Sequence, residues 1–388
     1  MKELTRSMSE NGQQPVMQTP VQYIDNEQDL QSAMNACMQK SAVTVDTEFA
    51  RVSTYYPMVG LIQLYDGEIC YLIDPLAIDD LSALADLLLS ETVIKVFHAC
   101  SEDMEVFKYC LDVLPSPIVD TQIAAAVLGV GFSISYQNMV DHYLSVNIPK
   151  EETRSDWLRR PLTERQLEYA ALDVIYLLKV HEIQRDHLRE MKRDDWLREE
   201  CAGLNEDLPT MIDPDTCFKK VKGLWKLDRK QLSVLRVICA WREVRAREFN
   251  VPRNRIVEQK SLMKITSGNI TQKHELQYDA EMSPRQVRKY GDDLLFLAAE
   301  ARLLPESQRP ELFERDSAHI DSKQLGILRQ VVQARAEVLS VAPELLTRRR
   351  HLEQLLRSED KEGNYSLPAE LSGWRKEVIG NDLIEALS

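Results

Sequence analysis

Between residues 43 and 98 the chain carries four short segments that read as β-strands, and their spacing restricts the possible folds more than any other feature. They are 43–50 (VTVDTEFA), 59–65 (VGLIQLY), 69–74 (ICYLID) and 93–98 (VIKVFH), all rich in β-branched and other apolar residues. The first three follow one another closely enough for a meander, and Asp66-Gly67 between the second and third is a hairpin turn signal. An amphipathic helix is expected over 80–89. Another is expected over 102–111, followed by a short extended piece ending at Asp120. Three strands in meander, then strands alternating with helices, predict a mixed sheet flanked by helices, an α/β domain. The clearest long helix spans 162–187. It opens on Thr163 with Gln166 three residues on, a capping-box pair just after Pro161.

From about Cys217 onward the patterning is helical only, with a faint internal repeat. Leu235, Arg236 and Arg242 align with Leu328, Arg329 and Arg335. Ile256, Leu262 and Ile265 align with Leu346, Leu352 and Leu355 after a three-residue shift. This supports two related helical modules. The stretch DLPTMIDPDT, with two prolines and three aspartates, reads as a linker. At 388 residues the chain is too long for one ordinary core. The expected divisions are a disordered leader at 1–20, the α/β domain at 21–208, a linker at 209–216, and helical domains at 217–300 and 301–388.

The polar leader lacks the apolar core of a signal peptide. No run of about 18 apolar residues occurs, so no transmembrane helix is expected. The seven cysteines form no C-x-x-C pair. That suits reduced thiols in the cytoplasm rather than a disulfide framework or a zinc site.

The chemistry of the chain rests on acids. Asp46 and Glu48 are two apart in the first strand, so they point to one face and repel unless a positive group lies between them. Asp103 lies just beyond the strand ending at His98, at a strand-to-helix junction of the kind where open α/β sheets place their sites. Tyr169 and Asp173 are four apart on the long helix and share a face. Asp173 sits in the most apolar part of that helix, where a bare carboxylate is costly. Each has a plain structural alternative: a solvated strand, a helix-dipole contact, a common helical spacing. If the four carboxylates converge, their hard oxygens would bind two Mg²⁺ or Mn²⁺ ions. Two such ions suit in-line displacement at phosphorus, with Tyr169 to orient or help deprotonate the attacking water.

The segments DTEFARVSTYYPMVGLIQL, FHACSEDMEVF, IVDTQIAA and RSDWLRRPLTERQLEYAALDVIYLL together resemble the ribonuclease D family. These are DEDD exonucleases of the tyrosine-containing branch. The resemblance covers about residues 21–208 and implies a ribonuclease-H-like fold. It also implies metal ligands Asp46, Glu48, Asp103 and Asp173, with Tyr169 as the water-positioning tyrosine. The implied activity is 3′→5′ removal of single nucleotides from RNA with a free 3′ end, notably tRNA precursors, releasing 5′-monophosphates. WKLDRKQLSVLRVICAWREVRAREFNVPRNRIV followed by MSPRQVRKYGDDLLFLA resembles the helical domain shared by helicases and this family. That module assists nucleic-acid binding, and the family carries a second, divergent copy after it.

Several residues are candidates for holding RNA. Arg51, Tyr55 and Tyr56 follow the first acidic cluster, and an aromatic ring can stack on a terminal base. His98 is a candidate phosphate contact, and Arg154, Arg159 and Arg160 a basic group ahead of the long helix. In the helical part Arg242, Arg245, Arg247, Arg253 and Arg255 form a candidate RNA-facing stripe. Asp120 reads as a helix N-cap.

A net charge of −14 argues against holding nucleic acid by bulk electrostatics alone. The alternatives to an exoribonuclease are a DNA exonuclease and a non-catalytic RNA-binding protein. A helicase is excluded by its missing phosphate loop, since no glycine is followed by lysine. No coiled-coil heptads are seen, which favours a monomer.

Overall fold

The computed structural model describes residues 19–51, 53–148, 155–204, 212–313 and 321–387. The expected leader, except for residues 19 and 20, falls outside them, as do the start of the expected linker and Arg154.

In chain order the elements begin with β1 (Val21–Ile24), α1 (Glu27–Cys37), β2 (Ala42–Ala50), β3 (Met58–Tyr65), β4 (Cys70–Ile73) and α2 (Ser82–Leu89). Then come β5 (Ile94–Phe97), α3 (Ser101–Leu111), β6 (Ile118–Asp120), α4 (Thr121–Val127), α5 (Tyr136–Leu144), α6 (Glu164–Met191) and α7 (Asp194–Gly203). The helices continue as α8 (Arg229–Glu248), α9 (Arg253–Ile256), α10 (Gln259–Ser267), α11 (Lys273–Tyr278) and α12 (Pro284–Leu303). The last are α13 (Ser322–Leu339), α14 (Pro343–Leu346), α15 (Arg349–Arg357) and α16 (Asn381–Glu385).

The six strands form one mixed sheet in the order β1-β4-β3-β2-β5-β6. The pairs β2–β3 and β3–β4 are antiparallel, as expected of the meander, while β1–β4, β2–β5 and β5–β6 are parallel. The register of β2 against β3 shifts between Glu48 and Phe49, which pair with Leu61 and Val59 and skip Gly60. A side chain at Gly60 would meet the Trp157 carbonyl oxygen at 2.6 Å, so the segment before α6 lies against bare backbone. The helix α6 starts on the expected capping box, with Thr163 and Gln166 bonded reciprocally. It buries Ala170, Ala171, Val174 and Ile175 against Leu61, Tyr65, Cys70 and Leu72 of the sheet.

The described residues fall into two compact units. One is drawn from Met1–Ala50, Met58–Leu208 and Ala318–Ser388, the other from Arg51–Pro57 and Pro209–Ser317. The expected helical domain at 301–388 is therefore divided. Its residues from Ala318 share a unit with the sheet, because one apolar core runs from Leu188, Leu197 and Cys201 into Leu325, Leu328, Leu346, Leu355 and Trp374. Trp196 stacks on Trp374 with ring centroids 4.4 Å apart, and Arg375 grips Glu200 through both guanidinium nitrogens.

The faint repeat has a structural counterpart. In each copy a long helix, α8 or α13, leads to a four-residue helix and then a nine-residue one. The aligned residues Leu235, Ile256, Leu262, Ile265, Leu328, Leu346, Leu352 and Leu355 are all buried. No strand occurs among the described residues after Asp120.

Candidate active site

Three elements build the acidic site: β2, α3 and α6. Thr44, Asp46 and Glu48 alternate with inward neighbours and share the face of β2 that meets α6. The Thr44 hydroxyl donates to the Val174 carbonyl at 2.9 Å, pinning the helix to the strand one residue from Asp173. One carboxylate oxygen each from Asp46, Glu48 and Asp173 then lie within 4.8 Å of one another. Asp103, at the start of α3, stands outside that group of three. Its carboxylate accepts a hydrogen bond from Thr47 Oγ1, between Asp46 and Glu48 in the chain. The start of α3 is itself fixed by Asp120. Besides capping α4 as expected, Asp120 accepts from the backbone N–H groups of Ala99 and Cys100.

The electrostatics of the site are those of acids short of positive charge. Burial, then the Asp173 carboxylate, holds Asp46 well above the usual carboxylate range. Burial, then Asp46, Asp173 and Asp103, pushes Glu48 up to about 10. Burial raises Asp173 to about 7, although the Tyr169 hydroxyl bonded to it pulls the other way. Asp103 is raised by burial and by Asp46, with the Thr47 bond opposing. Tyr169 is itself raised, first by burial and then by Asp173. Such a cluster cannot hold all its negative charges without a cation, and its donors are all hard oxygens. The residues fit a divalent ion such as Mg²⁺ or Mn²⁺.

The expected substrate contacts fare differently. Arg159 is exposed. Arg160 instead forms a fork on Asp74, with both bonds at 2.6 Å, and reaches the carbonyls of Gly60 and Trp157. It is a structural arginine that ties the pre-helix segment to the sheet, which corrects the expectation of a phosphate grip. His98 is corrected likewise. Its Nδ1 lies 3.0 Å from Thr121 Oγ1 and its Nε2 lies 3.2 Å from the Ile134 carbonyl, so both ring nitrogens are used inside the fold.

Arg51, Tyr55 and Tyr56 belong to the second unit. There the Tyr55 hydroxyl bonds to Glu243 and accepts from Arg253 at 2.8 Å, and its backbone N–H donates to Asn250. Tyr56 packs edge-on against Tyr55 and donates its own N–H to Asn250. The Tyr55 ring is thus held by protein rather than presented to a base.

The arginine stripe dissolves in the same way. Arg242 is buried and donates to the Val257 carbonyl and Gln259. Arg247 and Arg253 converge on Glu243, which is 1% exposed. Arg245 pairs with Glu248 on the surface, and Arg255 is exposed. Composition alone could not separate a stripe from an ion-pair cluster, because the acid that gathers it, Glu243, is one residue among 62 Asp and Glu.

Comparison with known proteins gives this geometry a setting. Residues 21–189 match the 3′-5′ exonuclease family model, residues 231–297 the HRDC domain, and residues 323–383 the ribonuclease D C-terminal HRDC domain. Ribonuclease D of Pseudomonas paraeruginosa is 43% identical over 367 residues, covering 95% of this chain and 97% of that protein. Ribonuclease D of Haemophilus influenzae is 38% identical, covering 91% and 89% respectively. The crystal structure of Escherichia coli RNase D, an exoribonuclease involved in structured RNA processing, matches with a TM-score of 0.88. It is 34% identical, over 95% of this chain and 98% of that one. Likeness of this extent along nearly the full length of both partners places the chain in the ribonuclease D family, and its activity is that of a 3′→5′ exoribonuclease.

Proposed function

We propose that the enzyme hydrolyses RNA from its 3′ end with two divalent cations, Mg²⁺ or Mn²⁺, releases nucleoside 5′-monophosphates, and trims tRNA precursors. The observation that carries this reading is the convergence of Asp46, Glu48 and Asp173, with Asp103 tethered to the same strand by Thr47. These four residues would hold the cations. Bound there, divalent ions supply a nucleophile near neutral pH and offset the charge of the reacting phosphate.

The chain's own groups divide the remaining work. Tyr169 has its hydroxyl pushed above the ordinary tyrosine range, so it stays protonated near neutrality. It is placed beside Asp173 to orient the attacking water by hydrogen bonding. Support for a structured substrate such as a tRNA precursor comes from the E. coli relative, an exoribonuclease involved in structured RNA processing. The HRDC module assists binding, with the exposed Arg255 and the half-buried Arg245 as candidate phosphate contacts there and the exposed Arg159 as one ahead of α6. We place the enzyme in the cytoplasm as a monomer. Its seven free cysteines accord with a reducing compartment.

The test uses matched RNA and DNA oligomers and a tRNA carrying a 3′ extension, each with a free or blocked 3′ end. Each is incubated with Mg²⁺, Mn²⁺ or chelator. Expected is stepwise shortening of the free-ended RNAs, arrested by chelator and by the blocked end. Comparable cleavage of blocked RNA would overturn the exonucleolytic reading. Turnover in chelator would overturn the metal reading. Faster degradation of DNA would favour a DNA exonuclease.

A further inference from the structure

Gln63 lies in the middle of β3, wholly buried, and neither atom of its carboxamide has a hydrogen-bond partner among the described residues. A buried amide left in this state loses its water and gains nothing for it, so each such group in a folded protein needs a reason.

Its surroundings leave few partners. Gln63 pairs directly with Asp46 across the antiparallel β2–β3 ladder and with Leu72 on its other side. Directly opposed residues share a face with Cβ atoms about 4.5–5.5 Å apart. Leu61 and Tyr65, two positions either way along β3, pack beneath α6 with Leu72, Ala170, Ala171 and Val174. Gln63 therefore points to the α6 face, the same face as Asp46 and Glu48. Ala170, Ala171 and Val174, which pack on this face, offer no polar side chain. The diagonal neighbour Thr44 already gives its hydroxyl to the Val174 carbonyl. The direct cross-strand pairing sets the Asp46 carboxylate beside the amide, as an acceptor to which it can donate.

We propose that Gln63 is a positioning residue of the cation site: its carboxamide N–H₂, unpaired here, donates to the Asp46 carboxylate when a divalent ion is taken up and holds it in the ligating orientation. The inference rests on the proposed role of Asp46 as a ligand. Carboxylate ligands are themselves oriented by hydrogen bonds from behind, and loss of such a partner commonly weakens metal binding about 10–100-fold. A carboxamide suits this place better than a lysine or arginine. It orients the carboxylate without adding a positive charge that would compete with the cation.

The test is calorimetric titration of Mn²⁺ into the full chain, for the natural protein, Gln63→Met and Gln63→Leu, with melting temperatures measured in chelator. Both substitutions keep the volume and remove both polar atoms. Expected is a dissociation constant for Mn²⁺ raised at least about tenfold in both variants. The chelated variants should melt no lower than the natural protein, since an unpartnered amide has been removed. Affinity within twofold of the natural protein in both variants overturns the proposal, and a lowered melting temperature with unchanged affinity assigns the amide to packing. A natural protein that binds no Mn²⁺, or an Asp46→Asn variant that binds it normally, would instead sink the underlying ligand assignment.

Discussion

Thr47 gives its hydroxyl to the Asp103 carboxylate at 2.5 Å, from a strand whose other face carries Asp46 and Glu48. One strand thus accounts for three of the four acids of the site, two with its own side chains and one by holding it, and its Thr44 anchors the helix one residue from the fourth, Asp173. Thr47→Val removes the donor and little else. Expected is a fall in kcat of about 10–100-fold on 3′-hydroxyl RNA at fixed Mg²⁺, with the fold retained. An unaltered rate would mean that Asp103 needs no tether.

The legible and illegible parts of the chain divide on locality. Strands β2 to β6, the Asp66-Gly67 turn and the capping box of α6 depend on neighbours in sequence and were readable from it, whereas the four-residue β1, set beside β4 from far along the chain, was not. The acids of the site were readable as well, because carboxylates in apolar elements are locally anomalous. What escaped depends on partners far along the chain. Lys95, the one charge inside the apolar strand β5, is fully buried and donates to the carbonyls of Ser90, Val93 and Ser116, all outside that strand. Gln63 looks like any polar strand residue until the register sets it opposite Asp46. The arginines around α8 look like an RNA surface until Glu243 is seen beneath them.

The raised carboxylates make the metal-free enzyme sensitive to alkali. Asp173 in the fold titrates near 7, against about 3.9 when unfolded, and Glu48 near 10, against about 4.3. Between those limits the folded chain binds more protons than the unfolded one. Its stability in chelator must therefore fall as pH rises from about 4 through 7 and toward 10. A divalent cation takes the deprotonated carboxylates, so its stabilising effect must grow over the same range. Melting temperatures from about pH 5 to about pH 9, with and without Mg²⁺, should diverge as pH increases. Parallel curves would place the cation elsewhere.

The roles of Asp46 and Tyr169 separate by what each variant keeps. Asp46→Ala is expected to abolish turnover while RNA binding largely survives, because the phosphate backbone is gripped mainly by other groups. Full activity would remove Asp46 from the site. Tyr169→Phe keeps the ring beside Trp157, with centroids 6.2 Å apart in the natural protein, and loses only the hydroxyl bonded to Asp173. Expected is a loss of about 10²–10⁴ in kcat with Mn²⁺ affinity retained. A rate equal to the natural enzyme's would make the hydroxyl structural.

Glu243 holds the second unit together and gives it an acid limit. Its carboxylate receives Arg247, Arg253 and the Tyr55 hydroxyl, and after the cost of burial these donors leave it below the ordinary glutamate range. The stabilisation is present above the unfolded value of about 4.3 and is lost as pH falls below it. Glu243→Ala should destabilise this unit by on the order of 3 kcal/mol, since it leaves partly buried guanidinium groups without a counter-charge. Urea unfolding followed by a probe in the helical unit checks this. A change below about 0.5 kcal/mol would class the cluster with surface ion pairs.

The two helical repeats have parted in what they pack against, and one glycine marks the difference. Gly129, after α4, has φ +79°, and a Cβ there would stand 1.9 Å from the Ser340 carbonyl oxygen at the end of α13. Arg193 spans the same junction, donating to the carbonyls of Val127 and Leu339 at 2.7 Å each. Gly129→Ala must therefore push α13 away while straining its own backbone. The expected result is a lower melting temperature, by about 2–4 °C for each kcal/mol lost, and faster proteolysis within 318–388. A chain ending at residue 317 goes further. It uncovers the apolar surface of Leu188, Trp196 and Leu197 and is expected to aggregate. If that truncation stayed monomeric and fully active, the C-terminal repeat would be an accessory module. If it aggregates, residues from Ala318 onward complete the core of the nuclease unit, however closely their sequence echoes the helices before them.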